Sequence, residues 1–368
     1  MKPAVTIRQI ARESGVSVST VSRVINGSAP VSEDVRRRVE RAIEKYAYAP
    51  SGFARGLVSR RSMIIGVVMP DITNPYFTAM FREISLAAQR AGYSVLLFNT
   101  GFSAATAGET TRNELEAFKV MQEKGADGVL VVGGQADLVR LRPEYRRGLE
   151  DMANRVPVVA LGNPVDGSRC QFMERERGQG IYMAVEHLFS LGHRRIAFVG
   201  GETDVAITER RLGAYGDALA ALGLPYDRNL VSTSDYYAPD GWRAADRLIR
   251  QGTAFTAVMA MNDGVALGAY RALADHGLRV PEDVSVISCD QFFDADYFTP
   301  RLTALNQHNE LLGQAVISAL LARMRGDAQS RPLKPRPELV VRESCRRISQ
   351  EPLPSASTNR LPARRPNG

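Results

Sequence analysis

The run Ala11-Arg12-Glu13-Ser14-Gly15-Val16-Ser17-Val18-Ser19-Thr20-Val21-Ser22-Arg23-Val24-Ile25-Asn26-Gly27 reads as the end of one short helix, a glycine turn and a second short helix. Ile7, Ile10 and Ala11 share one face of the first helix, and Val21, Val24 and Ile25 one face of the second, at the spacing of helices that bury a common core. Gly15 supplies the backbone freedom of a sharp turn, Ser17 is placed to cap the second helix, and Asn26-Gly27 is a stop. Val18, Ser19, Ser22 and Arg23 remain on the outer faces, small enough or long enough to meet base edges or phosphates in a major groove. An ordinary helical hairpin with a polar outer face is the competing reading.

Outward from this run, Ser32 precedes a charged segment in which Val35, Val39, Ile43 and Tyr46 recur at helical spacing, which predicts a third helix closing a small core over the first two. Pro50 stops it. Residues 50–62 hold Arg55, Arg60 and Arg61 together with Gly52 and Gly56, a linker of weak helical tendency or a plain tether. From Met63 the pattern changes to short apolar runs (Ile64–Met69, Tyr93–Phe98, Gly128–Val132, Pro157–Leu161, Arg195–Val199, Ala257–Ala260, Val284–Ser288). These alternate with amphipathic stretches such as Phe77–Ala91, Gly180–Leu191 and Arg210–Leu222. Apolar strands alternating with helices predict an α/β fold with parallel sheets covered on both faces, and this length suits two doubly wound lobes. In such sheets ligands sit beyond the carboxyl ends of the strands, and a cleft between lobes is a favoured place.

Charge is unevenly spread over the 368 residues. Residues 1–62 hold 12 Lys and Arg against 5 Asp and Glu, residues 331–368 hold 9 against 3, and the middle holds 26 against 32. The N-terminal surplus coincides with the helix pair, as attraction to phosphates requires. Cys170, Cys289 and Cys345 are far apart and without CxxC spacing, so neither a disulfide framework nor a zinc site is expected. No apolar stretch approaches the roughly 18 to 20 residues that span a bilayer, and no charged-then-apolar signal opens the chain, so a soluble cytoplasmic protein without membrane contact is expected. The Pro-, Ser- and Arg-rich end predicts a disordered tail. The expected domains are therefore 1–49, a hinge at 50–62, a core at 63–345 and a tail at 346–368.

Several motifs fall in a recognisable order: Thr6-Ile7 through Asn26-Gly27, Ala54-Arg55-Gly56-Leu57, Gly66-Val67-Val68-Met69-Pro70-Asp71-Ile72-Thr73-Asn74-Pro75-Tyr76-Phe77, Gly192-His193-Arg194-Arg195-Ile196, Asn262-Asp263-Gly264-Val265-Ala266-Leu267-Gly268, Leu302-Thr303 and Arg342-Glu343-Ser344. On them the chain resembles the lac/galactose repressor family of bacterial transcription regulators, from Val5 to about Ser344. The resemblance implies a helix-turn-helix headpiece, a hinge helix that orders on the operator, and a periplasmic-binding-protein-like core that dimerises and holds a small effector. It also implies that Met63 to about Asn163 and about Gln291 to Leu320 form one lobe, with about Pro164 to Asp290 and the end of the folded chain in the other.

By that resemblance Val18 and Ser19 occupy the positions that choose the operator sequence. Both are short, so Arg23, which can make a bidentate contact to guanine, is the main base reader, with a phosphate contact as its alternative. Thr6, Ser17 and Ser22 suit phosphates or caps. Leu57 is implied to wedge between minor-groove base pairs beside Arg55. For the effector, Asn74, Tyr76 and Phe77 follow the first core strand, Arg211 stands at the family's effector arginine, Tyr236 at an aromatic wall, and Asn262 and Asp290 end two successive strands. Each of the last two could instead cap a turn. An unpaired Asp290 would be costly, so donors, a cation or ligand hydroxyls are required there. Glu176-Arg177, preceded by Glu174-Arg175, stands where the family commonly has Asp-Asn, and reads either as a sign of a charged effector such as a sugar acid or as a solvated turn.

The expected function is a homodimeric regulator of a near-palindromic double-stranded operator, a repressor of a carbohydrate uptake or catabolism operon released by a sugar-like effector. A co-repressor, an activator and a solute-binding protein are the alternatives. No enzyme chemistry, cofactor or metal is expected: Asp290, Asp294 and Asp296 lack the glycine and glutamate of a calcium loop, and His187 and His193 are six residues apart.

Overall fold

A computed structural model describes residues 5–26, 30–48, 61–101, 107–174, 178–292, 295–327 and 336–348. The expected hinge residues Arg55 and Leu57, residue Glu176 and most of the expected tail lie outside these.

Helices α1 (Ile7–Ser14), α2 (Val18–Asn26) and α3 (Glu33–Lys45) bury Ile10, Ala11, Val21, Val39, Ala42 and Tyr48 among themselves, the separate core that the spacing predicts. Gly15 ends α1 at φ 65°, a left-handed conformation that lets the chain reverse into α2. The Ser17 hydroxyl accepts the Thr20 amide at 3.1 Å and so caps α2. Glu13 accepts from Lys45 at 2.6 Å and from the Tyr46 hydroxyl at 2.8 Å, tying α1 to the end of α3.

The rest of the described chain builds two sheets. The first has the order β2-β1-β3-β4-β5, with β1 Ile64–Met69, β2 Ser94–Asn99, β3 Gly128–Val132, β4 Val158–Leu161 and β5 Gln171–Met173, all parallel. Alternation along β1 assigns Ile65, Val67 and Met69 to one face, under α4 (Pro75–Arg90), and Val68 to the other, under α5 (Ala107–Glu123) and α6 (Pro143–Ala153). The second sheet has the order β11-β10-β9-β8-β6-β7, with β6 Ile196–Val199, β7 Val231–Ser232, β8 Ala257–Ala260, β9 Ser285–Ser288, β10 Thr303–Asn306 and an antiparallel edge strand β11 Glu338–Val340. Helices α7 (Gln179–Ser190), α8 (Ala206–Ala221), α9 (Ala238–Arg250) and α10 (Asp263–Asp275) cover it.

The lobe boundaries differ from the expected ones. Residues 164–173 belong to the first lobe because β5 pairs with β4, Ala160 opposite Phe172, and covers its edge. Residues 291–306 belong to the second because buried Thr303 and Ala304 pair with Ile287 and Ser288 of β9. Only α11 (Asn309–Arg325) returns to the first lobe, where Val316, Ile317 and Leu320 pack beneath its sheet. Residues 346–348, assigned to the tail on composition, are held by the second lobe: the Arg346 amide donates to Ser285 Oγ at 3.1 Å and the Ile348 amide to the Leu191 carbonyl at 2.9 Å.

Candidate functional site

On the headpiece, Thr6, Ser17, Val18, Ser19 and Arg23 are exposed and Ser22 is half-buried. Val18 is 41% exposed although apolar, so the start of α2 presents a methyl-bearing surface that the three-helix core does not need. Ser17 is occupied as a cap and also contacts the hydroxyls of Ser19 and Thr20 at 2.7 and 2.8 Å. Thr6 precedes α1 without a side-chain capping bond.

The two sheets present their strand carboxyl ends to a shared cavity of about 620 Å³. Asn74, Tyr76, Phe77, Arg211, Tyr236, Asn262 and Asp290 all line it, so every described effector residue expected from the sequence is brought to one place. Glu176 is not among the described residues, but its neighbour Glu174 is in the lining.

The first lobe supplies the ring surface. Tyr76 packs edge-on against Phe77, centroids 5.0 Å apart, and lies 5.5 Å from Phe292, which follows β9. Asn74 holds this turn in place: its side chain accepts the Tyr76 amide at 3.0 Å and caps α4. Asn262 does the same for α10, accepting the Val265 amide at 2.8 Å and donating to the Tyr236 carbonyl at 3.0 Å. Both asparagines thus position neighbours through caps. Helices α9 and α10 approach so closely that a Cβ on Gly268 would fall 1.9 Å from the Ala238 carbonyl oxygen, which sets the starts of both helices, and Tyr236 with Asn262, side by side. Tyr236 OH meets Thr208 Oγ1 at 2.9 Å.

The second lobe supplies a neutralised charge. Arg211 donates to Asp290 at 2.9 Å and to the Met261 carbonyl at 2.6 Å, and both side chains of the ion pair are 5% exposed. Asp290 also accepts from Asn309 of α11 at 2.8 Å, a bond that joins the lobes. The donors that Asp290 required are therefore protein groups. A second interlobe bond runs from the Tyr237 hydroxyl to Asp71. Burial pushes the Asp71 carboxyl up, but bonds from Tyr237 and Thr73 outweigh it and hold the group below its ordinary value. Asp235, next in the wall, is raised chiefly by burial. Leu138 and Val205, the latter in the cavity lining, form an antiparallel bridge between the lobes.

Asp71, Tyr237, Asn309 and Phe292 were not singled out by the sequence. Tyr237 is adjacent to the chosen Tyr236 and sits extended at the N-cap of α9, where no periodicity tells which of the two rings crosses the cleft. Asn309 is 19 residues from Asp290 along the chain, with no local signal linking them. Among the described residues no group of three or more His, Cys, Asp or Glu could hold a metal ion, and no helix is long and apolar enough to cross a membrane.

Residues 6–51 match the model of bacterial regulatory proteins of the lacI family, and residues 185–345 match a periplasmic binding protein-like domain. The chain is 31% identical over 345 residues to the HTH-type transcriptional repressor PurR of Vibrio atlanticus, covering 94% of this chain and 99% of that protein. It is 32% identical to the PurR of Glaesserella parasuis, again over 94% of this chain and 99% of that one. Among solved structures it superposes on the lac repressor dimer bound to operator and the anti-inducer ONPF with a TM-score of 0.81 and 27% identity, covering 93% of this chain and 99% of that one. The regulator CelR in complex with cellobiose matches with a TM-score of 0.65 and 30% identity, over 92% and 99% of the two chains. The headpiece, the two-lobed cleft and these full-length similarities agree: the chain belongs to the lacI family of bacterial regulatory proteins.

Proposed function

We propose that this ligand-responsive transcriptional regulator is a cytoplasmic, homodimeric repressor of a carbohydrate uptake or catabolism operon, without enzymatic activity, and that its effector is a neutral polyhydroxylated ring compound. The observation that carries the effector class is the commitment of Arg211 to Asp290. A guanidinium already paired in a buried site has little to offer an anion, and an added negative charge would compete with a bonded carboxylate. Asp71, Asp137, Glu174, Glu202, Asp235 and Asp290 line the described cavity against Arg211 and Arg336, so the lining repels anions further. This favours the neutral sugar over the sugar acid that the Glu174–Arg177 patch raised. Phe77 and Tyr76 offer ring faces, and carboxylates and amides offer hydroxyl partners, the composition of a small polyol site. Two solved relatives hold neutral sugars, CelR with cellobiose and a regulator from Enterococcus faecium with ribose, which supports this reading.

On the DNA side, Val18, Ser19 and Arg23 read bases, Thr6, Ser17 and Ser22 approach the backbone, and Leu57 enters the minor groove with Arg55 beside it near the backbone. Calorimetric titration of neutral mono- and disaccharides and of the matching sugar acids into the full chain tests the effector class. A neutral sugar should bind at least about tenfold more tightly than its acid. Tighter binding of the acids would overturn it.

A further inference from the structure

The chain passes into the first lobe's sheet through a junction that one carboxylate holds. Asp127 accepts the Ser62 amide at 2.9 Å on one oxygen and the Met63 amide at 2.9 Å on the other, with the Ser62 hydroxyl at 3.3 Å beside the first. Ser62 Oγ in turn accepts the Ile64 amide at 3.1 Å, the Asp127 amide donates to the Ile64 carbonyl at 2.8 Å, and the Ser94 amide to the Met63 carbonyl at 2.8 Å. Met63 sits at φ 58°, left-handed for a residue with a side chain, which persists only where surrounding bonds fix it. The amide ends of two successive peptide units are thus held by Asp127 and both ends of the next unit by Ser62 and Ser94, and with them the direction in which the chain leaves the core toward residue 61 and the headpiece.

The carboxylate itself is held by the lobe. Asp127 directly precedes β3, whose Gly128 pairs with Ile65 of β1. Over Gly128 lies the C-terminal end of α11, so close that a Cβ on this glycine would fall 2.8 Å from Met324 Sδ. The N-terminal end of the same helix carries Asn309, which bonds Asp290 in the cleft. One rigid element of 17 residues, about 25 Å long, therefore runs from the cleft to the junction.

We propose that Asp127 is a positioning residue for DNA recognition: it fixes the exit direction of the hinge from the core, and in the dimer thereby sets the half-site spacing that the paired headpieces accept. The proposal rests on the DNA-binding reading above. Two charge-assisted bonds from one carboxylate to consecutive amides remove the rotation that a single peptide junction would leave. Without them the headpieces keep their own fold and charge and lose their fixed separation.

The test uses the full-length chain and a duplex that the wild type selects from a randomised library. That selection comes first, so failure of the DNA-binding reading is seen in the wild type before any variant is made. Affinities are then measured for this duplex with zero, one and two base pairs added at its centre, and for a random duplex, with hydrogen exchange read at the Ser62 and Met63 amides. Each added base pair rotates and displaces one half-site, so the wild type should lose about tenfold or more at the first step. Asp127→Ala should lose affinity for the parent duplex, keep its affinity for random DNA within about twofold, flatten the spacing profile and speed exchange at both amides. Asp127→Asn, which keeps one acceptor oxygen, should fall between. A wild-type spacing profile in Asp127→Ala overturns the proposal, as does unchanged exchange at the two amides. Equal loss on random and selected DNA with a lowered melting temperature also overturns it, since that is the mark of a purely structural residue.

Discussion

Replacing Glu114 by glutamine should remove a pH-dependent penalty built into the first lobe. Glu114 lies on α5 beneath the cleft wall, 1% exposed, and its Oε1 accepts the Gln135 amide at 2.8 Å. Burial raises its carboxyl to about 8, against the pull of the Gln135 amide and the Tyr145 hydroxyl, with Asp137 adding to the rise. In the unfolded chain the same group ionises near 4.5. The native state therefore keeps a proton that the unfolded chain has released. Its stabilising effect is full below pH 4.5 and is lost as pH rises toward 8. At pH 7 two and a half units separate the two, at about 1.4 kcal/mol per unit, so about 3 kcal/mol has gone. Glutamine has no proton to lose and retains an oxygen for the Gln135 amide. Urea denaturation of both proteins at pH 5, 6, 7 and 8 should show the wild type losing stability relative to Glu114→Gln by about 1.4 kcal/mol per unit. Parallel curves across this range would refute the reasoning, because they would mean that Glu114 ionises alike in the folded and unfolded chains.

Buried His193 bonds Thr256 and the Arg346 carbonyl and is lowered to about 4 by burial, so stability should fall as pH drops from 6.5 toward 4; His193→Gln should flatten that acid limb in the same denaturation series. Arg211→Ala or Asp290→Ala strands the other charge of a buried pair and should each cost about 3 kcal/mol or more, while Arg211→Met with Asp290→Leu should recover much of it, read by melting temperature. Arg23→Ala should cost about 1 to 3 kcal/mol at one base position per half-site, and uniform weakening on every sequence in a mutated-site binding series would make Arg23 a phosphate contact. Leu57→Ala should reduce operator bending in a fluorescence assay and leave effector affinity unchanged; an unchanged bend angle would sink the wedge assignment.

The architecture was legible because the core strands bury both faces and read as continuous apolar runs, while the helices between them carry apolar residues at helical spacing on one face. β1, β3 and β8 match their apolar runs residue for residue. The misses are the short edge strands β5, β7 and β11 and the inner strand β10, whose two to four residues carry too little pattern to assign and become strands only through a partner already in place. Those strands decide where the lobes divide, so the boundaries moved with them. In the cleft, residues at strand ends were readable from position alone. The partners of those residues were not: Asp290 is matched by Arg211 and Asn309 from distant helices, and Asp71 by Tyr237 across the lobes. Asn74 and Asn262 have the residue type of both a ligand contact and a helix cap, and only the geometry shows each oxygen on a backbone amide.

A small molecule in the cleft should change the grip of the headpieces on DNA, and linkage makes that a single measurable factor. The direct measurement is the fluorescence anisotropy of the wild-type-selected duplex, titrated with the full chain in the presence and absence of the tightest-binding sugar, for the wild type and for Phe77→Ala, which removes a half-buried ring from the cavity wall. The predicted result is a weakening of wild-type affinity by about tenfold or more on adding the sugar, largely absent in Phe77→Ala although both proteins bind the bare duplex alike. Equal duplex affinity with and without saturating sugar in the wild type, or the same shift in Phe77→Ala, would contradict it.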